Sequence, residues 1–444
     1  MTPPLPSEPS SADALSFWKN PFLWLREKSL SRSFWIFFAV AFFYDAGLSI
    51  YVFLFNLYLL DFHFNERAIG LIGGSMMLGS LIGTLPAGVL ARRIGLRPLL
   101  MFTLTAAPLI FVLRTLWVWE PAQLVIAFLA GISLSTWGVC FLPAVAKVTT
   151  ERNRPAAFGL LFSAGIGTGA LGGILCGYLP QWLSAAGFIM QPAAVKRLIL
   201  LAACGMVLLG IVPLLSLRFP TPVQTEPLAE AKPEAGNWLR GLRVHPFLLR
   251  YLPLMALWAA ILNSFPPFAN VYLSRQLHTP LAHIGVIFSS AQVLQFFMGL
   301  VAPAVLRWLG LVNGIVAMLA FMGVALGAMD AAGHGGLTIA FYLAFAGTQW
   351  MSTSGLYSLL IDEVPDKDLS TASAMTMFCS TLAGSAATAG AGILFTRFGY
   401  PAVVAGIATL ALVTAVLFRL LLGQAKGRTV RHPELTNELL GRTD

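Results

Sequence analysis

Twelve apolar runs of roughly 20 residues or more punctuate this sequence, near 34–60, 68–91, 98–117, 122–147, 155–182, 198–217, 247–274, 281–306, 311–330, 335–361, 370–396 and 400–422. Each is long enough, wound as an α-helix, to cross the ~30 Å hydrocarbon layer of a bilayer. A soluble fold offers no alternative. With 57% hydrophobic and 11% charged residues, the chain has too few charges to clothe a water-facing surface. Inside lipid every backbone polar group must find its partner within the protein, so runs of this kind can only be helices or barrel strands, and their length selects helices. The expected fold class is therefore all-α and integral to the membrane.

The twelve runs fall into two sets of six that echo one another at an offset of about 215 positions. Asn56, Leu57, Tyr58 and Leu59 recur as Asn270, Val271, Tyr272 and Leu273. The string from Ala91 to Gly95 recurs from Leu306 to Gly310, with Arg92 over Arg307 and Gly95 over Gly310. Glu151 and Arg152 lie over Asp366 and Lys367, each pair in a polar break between apolar runs. Two copies of a many-helix unit related by a pseudo-two-fold axis are the construction of secondary transporters, in which the solute is held between the halves.

Basic residues set the expected orientation. All of the 28 Lys and Arg except Arg67, Arg114, Lys196, Arg197, Arg275 and Arg397 fall on one side if both ends of the chain are cytoplasmic. That bias also accounts for the net charge of +9, since the basic groups are spread over short loops and make no single face for nucleic acid. The expected organisation is a cytoplasmic tail with an interfacial helix (1–33), a first six-helix half (34–218), a Pro-rich cytoplasmic linker (219–246), a second half (247–422) and a cytoplasmic tail (423–444). Cys140, Cys176, Cys204 and Cys379 all lie within apolar runs, without CxxC or Cys/His spacing, so neither a metal nor a cofactor is expected.

Gly88, Leu90, Ala91, Arg93, Gly95 and Arg97, between the second and third runs, resemble the loop signature of the major facilitator superfamily, Gly-x-Leu-Ala-Asp-Arg-x-Gly-Arg-Arg. The resemblance extends over nearly the whole chain and implies a twelve-helix bundle working by alternating access. It also implies a central cavity lined mainly by helices 1, 4, 7 and 10. Arg92 stands at the signature's Asp position, so the family's usual acidic latch at that loop is not carried over. In the fifth run, Gly165, Gly167, Gly169, Gly172, Gly173 and Gly177 partly resemble the glycine-rich signature of drug/proton antiporters, departing from it at Ala170 and in the final spacing.

Ionisable residues at membrane depth cost on the order of 2.5–3.5 kcal/mol to insert, so each one invites a functional reading. Asp45 is the one deep acid, about eleven residues into the first run and hence ~16 Å from its inner end. With Ser49, Val52 and Asn56 it forms one polar stripe, and Asn263, Pro266 and Asn270 repeat the last three members in the second half. Asp45 is the candidate for proton coupling or cation contact; a structural acid bonded to a neighbouring Ser, Asn or Tyr is the other reading. Ser133, Trp137, Gln349 and Trp350, at matching depth in runs 4 and 10, and Gln292 and Gln295 in run 8, complete the candidate cavity with Ser49, Asn56, Asn263 and Asn270.

No Lys or Arg lies deep in runs 1, 4, 5, 7, 8, 10 or 11, which disfavours a strongly anionic solute. Arg114, near the outer end of the third run, is the nearest candidate for a buried cation; snorkelling to the headgroups, with Glu120 as partner, is the favoured reading. Lys147 at the inner end of run 4 maps onto Asp362 at the inner end of run 10. Together with Arg92, Arg93, Arg307 and Glu363 these form a candidate cytoplasmic gate.

A catalytic nucleophile, an acid/base pair or a metal cluster is nowhere in view, so an enzyme is not expected. The expectation is a monomeric, multi-pass carrier of the cytoplasmic (inner) membrane that moves a small neutral or weakly cationic organic solute, with protons as the coupling ion and the lipid bilayer as its surroundings. A drug or metabolite efflux antiporter, and a lipid or amphiphile translocase, are the alternatives.

Overall fold

The computed structural model describes residues 30–150, 153–187, 191–217, 219, 246–333 and 335–423. The interfacial helix, the interdomain linker, the C-terminal tail, Glu151, Arg152 and His334 lie outside the described residues.

The described residues are almost wholly helical. Crossings α1 (Arg32–Asp61), α2 (Glu66–Ile94), α3 (Leu96–Leu116), α4 (Glu120–Val148), α5 (Arg154–Ala185) and α6 (Pro192–Leu209, prolonged by Ile211–Ser216) form the first half. The second half opens with α7 (Pro246–Ser264, a 3-10 turn Pro266–Phe268, then Ala269–Arg275), followed by α8 (Leu281–Leu309) and α9 (Leu311–Ala331). Next comes α10, in two pieces (Gly336–Thr348 and Ser352–Glu363). The last element, Asp366–Leu422, is α11 and α12 joined at Gly399, where φ is 77° and the helix cannot continue. This arrangement is consistent with twelve crossings by length and composition.

Local chemistry explains the main punctuation. Ser31 and Asn65 accept the free amides of Phe34 and Ala68 and so start α1 and α2. Ser31 also donates to the carbonyl of Val148, tying the beginning of α1 to the end of α4. Gly95 and Gly310, equivalent in the repeat, both turn the chain at φ of 87° and 82°, with ψ near the extended value. Only glycine occupies that region without strain, so the same sharp corner separates α2 from α3 and α8 from α9.

Two crossings are broken. In α7 the pair Pro266 and Pro267 supplies no amide donors, and the chain passes through a 3-10 turn. In α10 the helix is interrupted at Gln349–Met351, in a stretch the sequence reads as one continuous run.

The halves meet through α2 against α11 and α5 against α8, where small residues permit close backbone approach. A Cβ on Gly70 would fall on Gly392 and the Thr388 carbonyl; one on Gly74 would meet the Ser385 carbonyl. On α5, a stripe at every fourth residue faces the other half: Gly169 toward Gln292, Gly173 toward Ser289 and Gly285, and Gly177 toward Ala282. All of these contacts lie in the half of the bundle that ends at Asp61, Glu66 and Arg275. Toward the Gly95 and Gly310 corners, no hydrogen bond or ion pair joins the halves among the described residues.

Candidate functional site

Between the halves lies a cavity of about 920 Å³, sealed at the Glu66–Arg275 end by the contacts above and leading toward the Gly95–Gly310 end. Its wall is mostly apolar, with Leu48, Phe53, Ile72, Met76, Phe141 and Phe288 among the contributors. Five crossings of the first half supply most of it; the second half adds parts of α7, α8 and α11. No residue of α10 lines it, contrary to the helix set that the sequence resemblance implies.

Asp45 is on the wall, half-buried, at the level where α5 passes with Gly165. A Cβ there would stand 3.4 Å from Asp45 Oδ2, so the glycine leaves the carboxylate its room. Among the described residues Asp45 makes no side-chain hydrogen bond and no ion pair. Ser49, one turn on, spends its hydroxyl on the Asp45 backbone carbonyl rather than on the carboxylate. Beside Asp45, the ring of Tyr44 stacks on Trp137 at 3.9 Å between centroids, and Phe37 lies beyond it, so the indole is held flat against the wall.

Asn56, Asn263, Asn270 and Gln292 also line the cavity. The amides of Asn56 and Asn270 are engaged, each donating to a backbone carbonyl of the opposite half. Asn263 donates to its own Ala259 carbonyl and accepts, through its backbone, from Thr388. Ser133, Gln295, Gln349 and Trp350 lie off this wall. Ser133 is buried against α3, its carbonyl taking the Thr103 hydroxyl. Trp350 is 53% exposed and meets Trp258 edge-on.

The gate candidates Arg92, Arg93, Lys147, Arg307 and Asp362 are exposed, Glu363 is half-buried, and none of the six is in an ion pair among the described residues. Of the loop signature, Gly88 has open space around it, Gly95 makes the corner, and Arg97 donates to the Leu215 carbonyl at the end of α6.

Arg114 differs from its sequence reading. It does not snorkel: it is 4% exposed and lines the cavity near its sealed end. Its Nε donates to Gln123 Oε1 at 3.3 Å, and its Cζ lies 4.2 Å from the centroid of the Phe55 ring. Glu120 is not its partner; Gln123, one turn further into α4, is. Gln123 in turn donates to the carbonyls of Arg114 and Trp117, which fixes its oxygen toward the guanidinium. The signal was present in the sequence as an amide nine residues on, across a short loop, at a matching depth.

A family model described as "Major Facilitator Superfamily" matches residues 36–388, well over half of the chain. No curated protein sequence matches the chain. Among solved structures, a mutant of the nucleoside transporter NupG is similar with a TM-score of 0.71, at 13% identity, over 88% of this chain and 100% of that one. The xylose transporter XylE from E. coli, in an inward-open conformation, gives 0.67 at 13% identity over 88% and 97%. A bacterial homologue of the human lysosomal transporter Spinster, inward-facing and occupied, gives 0.66 at 14% identity over 88% and 97%. At these identities the likeness is one of fold.

Proposed function

The chain belongs to the Major Facilitator Superfamily, and from that premise we propose that it is a proton-coupled secondary active transporter that carries a small organic solute through the central cavity by alternating access. The observation that carries the reading is Asp45: a lone carboxylate on the wall of a largely apolar cavity, with no partner among the described residues. A group so placed can exchange a proton with the open side and, once neutral, lets the halves close over it at lower desolvation cost.

The positive-inside bias makes the open, Gly95–Gly310 end cytoplasmic, so the conformation is inward-facing with both termini inside the cell. In that state none of the six gate residues is in an ion pair among the described residues. They pair, on this reading, when the cytoplasmic mouth closes and the outer contacts release. Uptake and efflux use the same cycle in opposite senses.

The reading of the solute as neutral or weakly cationic rested on the lack of a deep cation, and Arg114 in the wall removes that ground. A lipid or amphiphile translocase remains the second reading, favoured by the apolar lining. The test is flux in proteoliposomes under an imposed pH gradient, across sugars, amino acids, nucleosides, organic acids and cationic dyes. Gradient-driven flux of any of them supports the carrier. Absence of soluble-compound flux, with translocation of fluorescent lipids, would transfer the protein to the second reading.

A further inference from the structure

We propose that Arg114 is an anion subsite, so that the solute is an organic oxyanion with an apolar body. The inference rests on the carrier reading above and gives Arg114 a role in that cavity.

The wall near the sealed end is built around this guanidinium. Arg114 is almost fully enclosed near the outer end of α3, and no carboxylate neutralises it: the ion pairs among the described residues are Lys196–Asp61 and Arg275–Glu66. Its Nε is held by Gln123 and its face rests on Phe55, while Nη1 reaches the sulfur of Met76 at 3.8 Å, a weak acceptor. Nη2 makes no hydrogen bond among the described residues and is not among the sealed, unpartnered atoms. Arg114 is on the cavity wall, so the N–H groups of Nη2 are the donors left to a solute. Enclosing a cation without an acid is costly, and a solute oxyanion that accepts a fork of two N–H bonds would relieve that cost.

Asp45 cannot serve as the missing acid. It lies ten residues before Phe55 on α1, about 15 Å along the helix axis. Between the two charges the wall is mainly Leu48, Val52, Phe53, Ile72 and Phe288, with Ser49 and Gln292 as its polar groups. The cavity thus offers a cationic end, a largely apolar middle and a protonatable group toward the open side. An amphiphilic anion fits that order head-first, its oxyanion on Arg114 and its body against the rings, with Asp45 left free for the proton.

Binding to the purified full-length protein tests this apart from transport. The probes are phenylbutyrate, phenethyl phosphate, phenylbutyramide and phenylbutylamine at pH 7, read as ligand-induced rises in melting midpoint. An anion is expected to bind about tenfold or more tightly than the amide, as a charge-assisted pair requires. Whichever of carboxylate and phosphate binds better names the head group. Arg114→Gln should abolish the preference for acid over amide, and Arg114→Lys should retain part of it. A purely structural arginine would instead weaken acid and amide together.

An amide or amine that binds as well as the acids, silence from both anions, or a preference that survives Arg114→Gln would each overturn the assignment. Should Arg114→Gln fail to fold, the wild-type ranking of acid against amide still decides. Gradient-driven flux of some solute without anion preference would remove the subsite and leave the carrier. Anion preference without flux of any solute would do the reverse.

Discussion

Asn56 and Asn270, the same position in the two repeats, bond across the bundle to one another's helices: Asn56 donates to the Pro267 carbonyl and Asn270 to the Phe53 carbonyl, each at 2.8 Å. The break in α7 creates part of the need. Pro266 and Pro267 interrupt the helical ladder, and the Asn270 side-chain oxygen takes the Val271 amide while Asn56 takes the Pro267 carbonyl. Both bonds span the halves, so on the proposed cycle they exist only while the Glu66–Arg275 end is closed.

Asn56→Ala and Asn270→Ala should therefore favour the outward-open state. Polar contacts between membrane helices are worth roughly 0.6–2 kcal/mol, a shift of about 3- to 30-fold in the ratio of the two states. Labelling of a cavity cysteine, introduced at Val52 in a background freed of native cysteines, by an impermeant thiol reagent added outside should speed up accordingly. Unchanged labelling in both variants would show that the pair does not hold the outer gate.

Arg275 and Glu66 close the same end, joining the halves at 2.9 Å, with Tyr400 also within hydrogen-bond reach of Glu66 and Arg275 reaching the Phe64 carbonyl. Arg275 is partly exposed, so the pair alone should contribute no more than about 1 kcal/mol. Glu66→Gln and Arg275→Gln should each raise outward labelling several-fold, while the exchange Glu66→Arg with Arg275→Glu should restore part of the wild-type value. Failure of the exchange to rescue, with both singles impaired, would point to Tyr400 and the Phe64 carbonyl as the contacts that matter.

The α5–α8 seam gives a steric test. A methyl on Gly285 would fall on the Gly173 carbonyl, and one on Gly173 would meet the Ser289 hydroxyl at 2.6 Å. Gly285→Val should prevent the outer end from closing and abolish transport while the protein still reaches the membrane. Gly159, with nothing within 4 Å of a Cβ, is the control: Gly159→Ala should be neutral or stabilising by up to about 1 kcal/mol. Transport retained in Gly285→Val would mean that this seam opens little during the cycle.

At the open end, Lys147 and Asp362 are exposed and in no ion pair among the described residues. If they meet when that mouth closes, Lys147→Asp and Asp362→Lys should each slow flux, and the double exchange should recover it. Two impaired singles and an equally impaired double would leave these residues as topology signals only.

How legible this protein is depends on what kind of constraint acted. The crossings could be read because lipid thickness fixes run length, and Gly95 and Gly310 because only glycine takes their corner. Asp45, Ser49, Trp137, Asn263 and Gln292 reach the cavity wall because an apolar helix turns its few polar groups inward. For Arg114 the sequence leaves the choice open for a reason of geometry: two residues from a helix end, a long side chain can reach the headgroups or fold back, and only the neighbouring Phe55 and Gln123 decide. Gln295 shares a helix face with Gln292, yet only Gln292 reaches the wall, since a lining position depends on where the partner helix crosses. The interruption of α10 at Gln349–Met351 carries no proline and no sequence warning.

The central claim is that a proton rides with the solute on Asp45. Its most direct test is to follow internal pH with a trapped dye in proteoliposomes while a solute found by the flux screen is added outside, with wild type and Asp45→Asn side by side. Solute-dependent proton movement in the wild type, absent in Asp45→Asn although the variant still exchanges solute down its own gradient, is the expected result. Proton movement that persists undiminished in Asp45→Asn would contradict it.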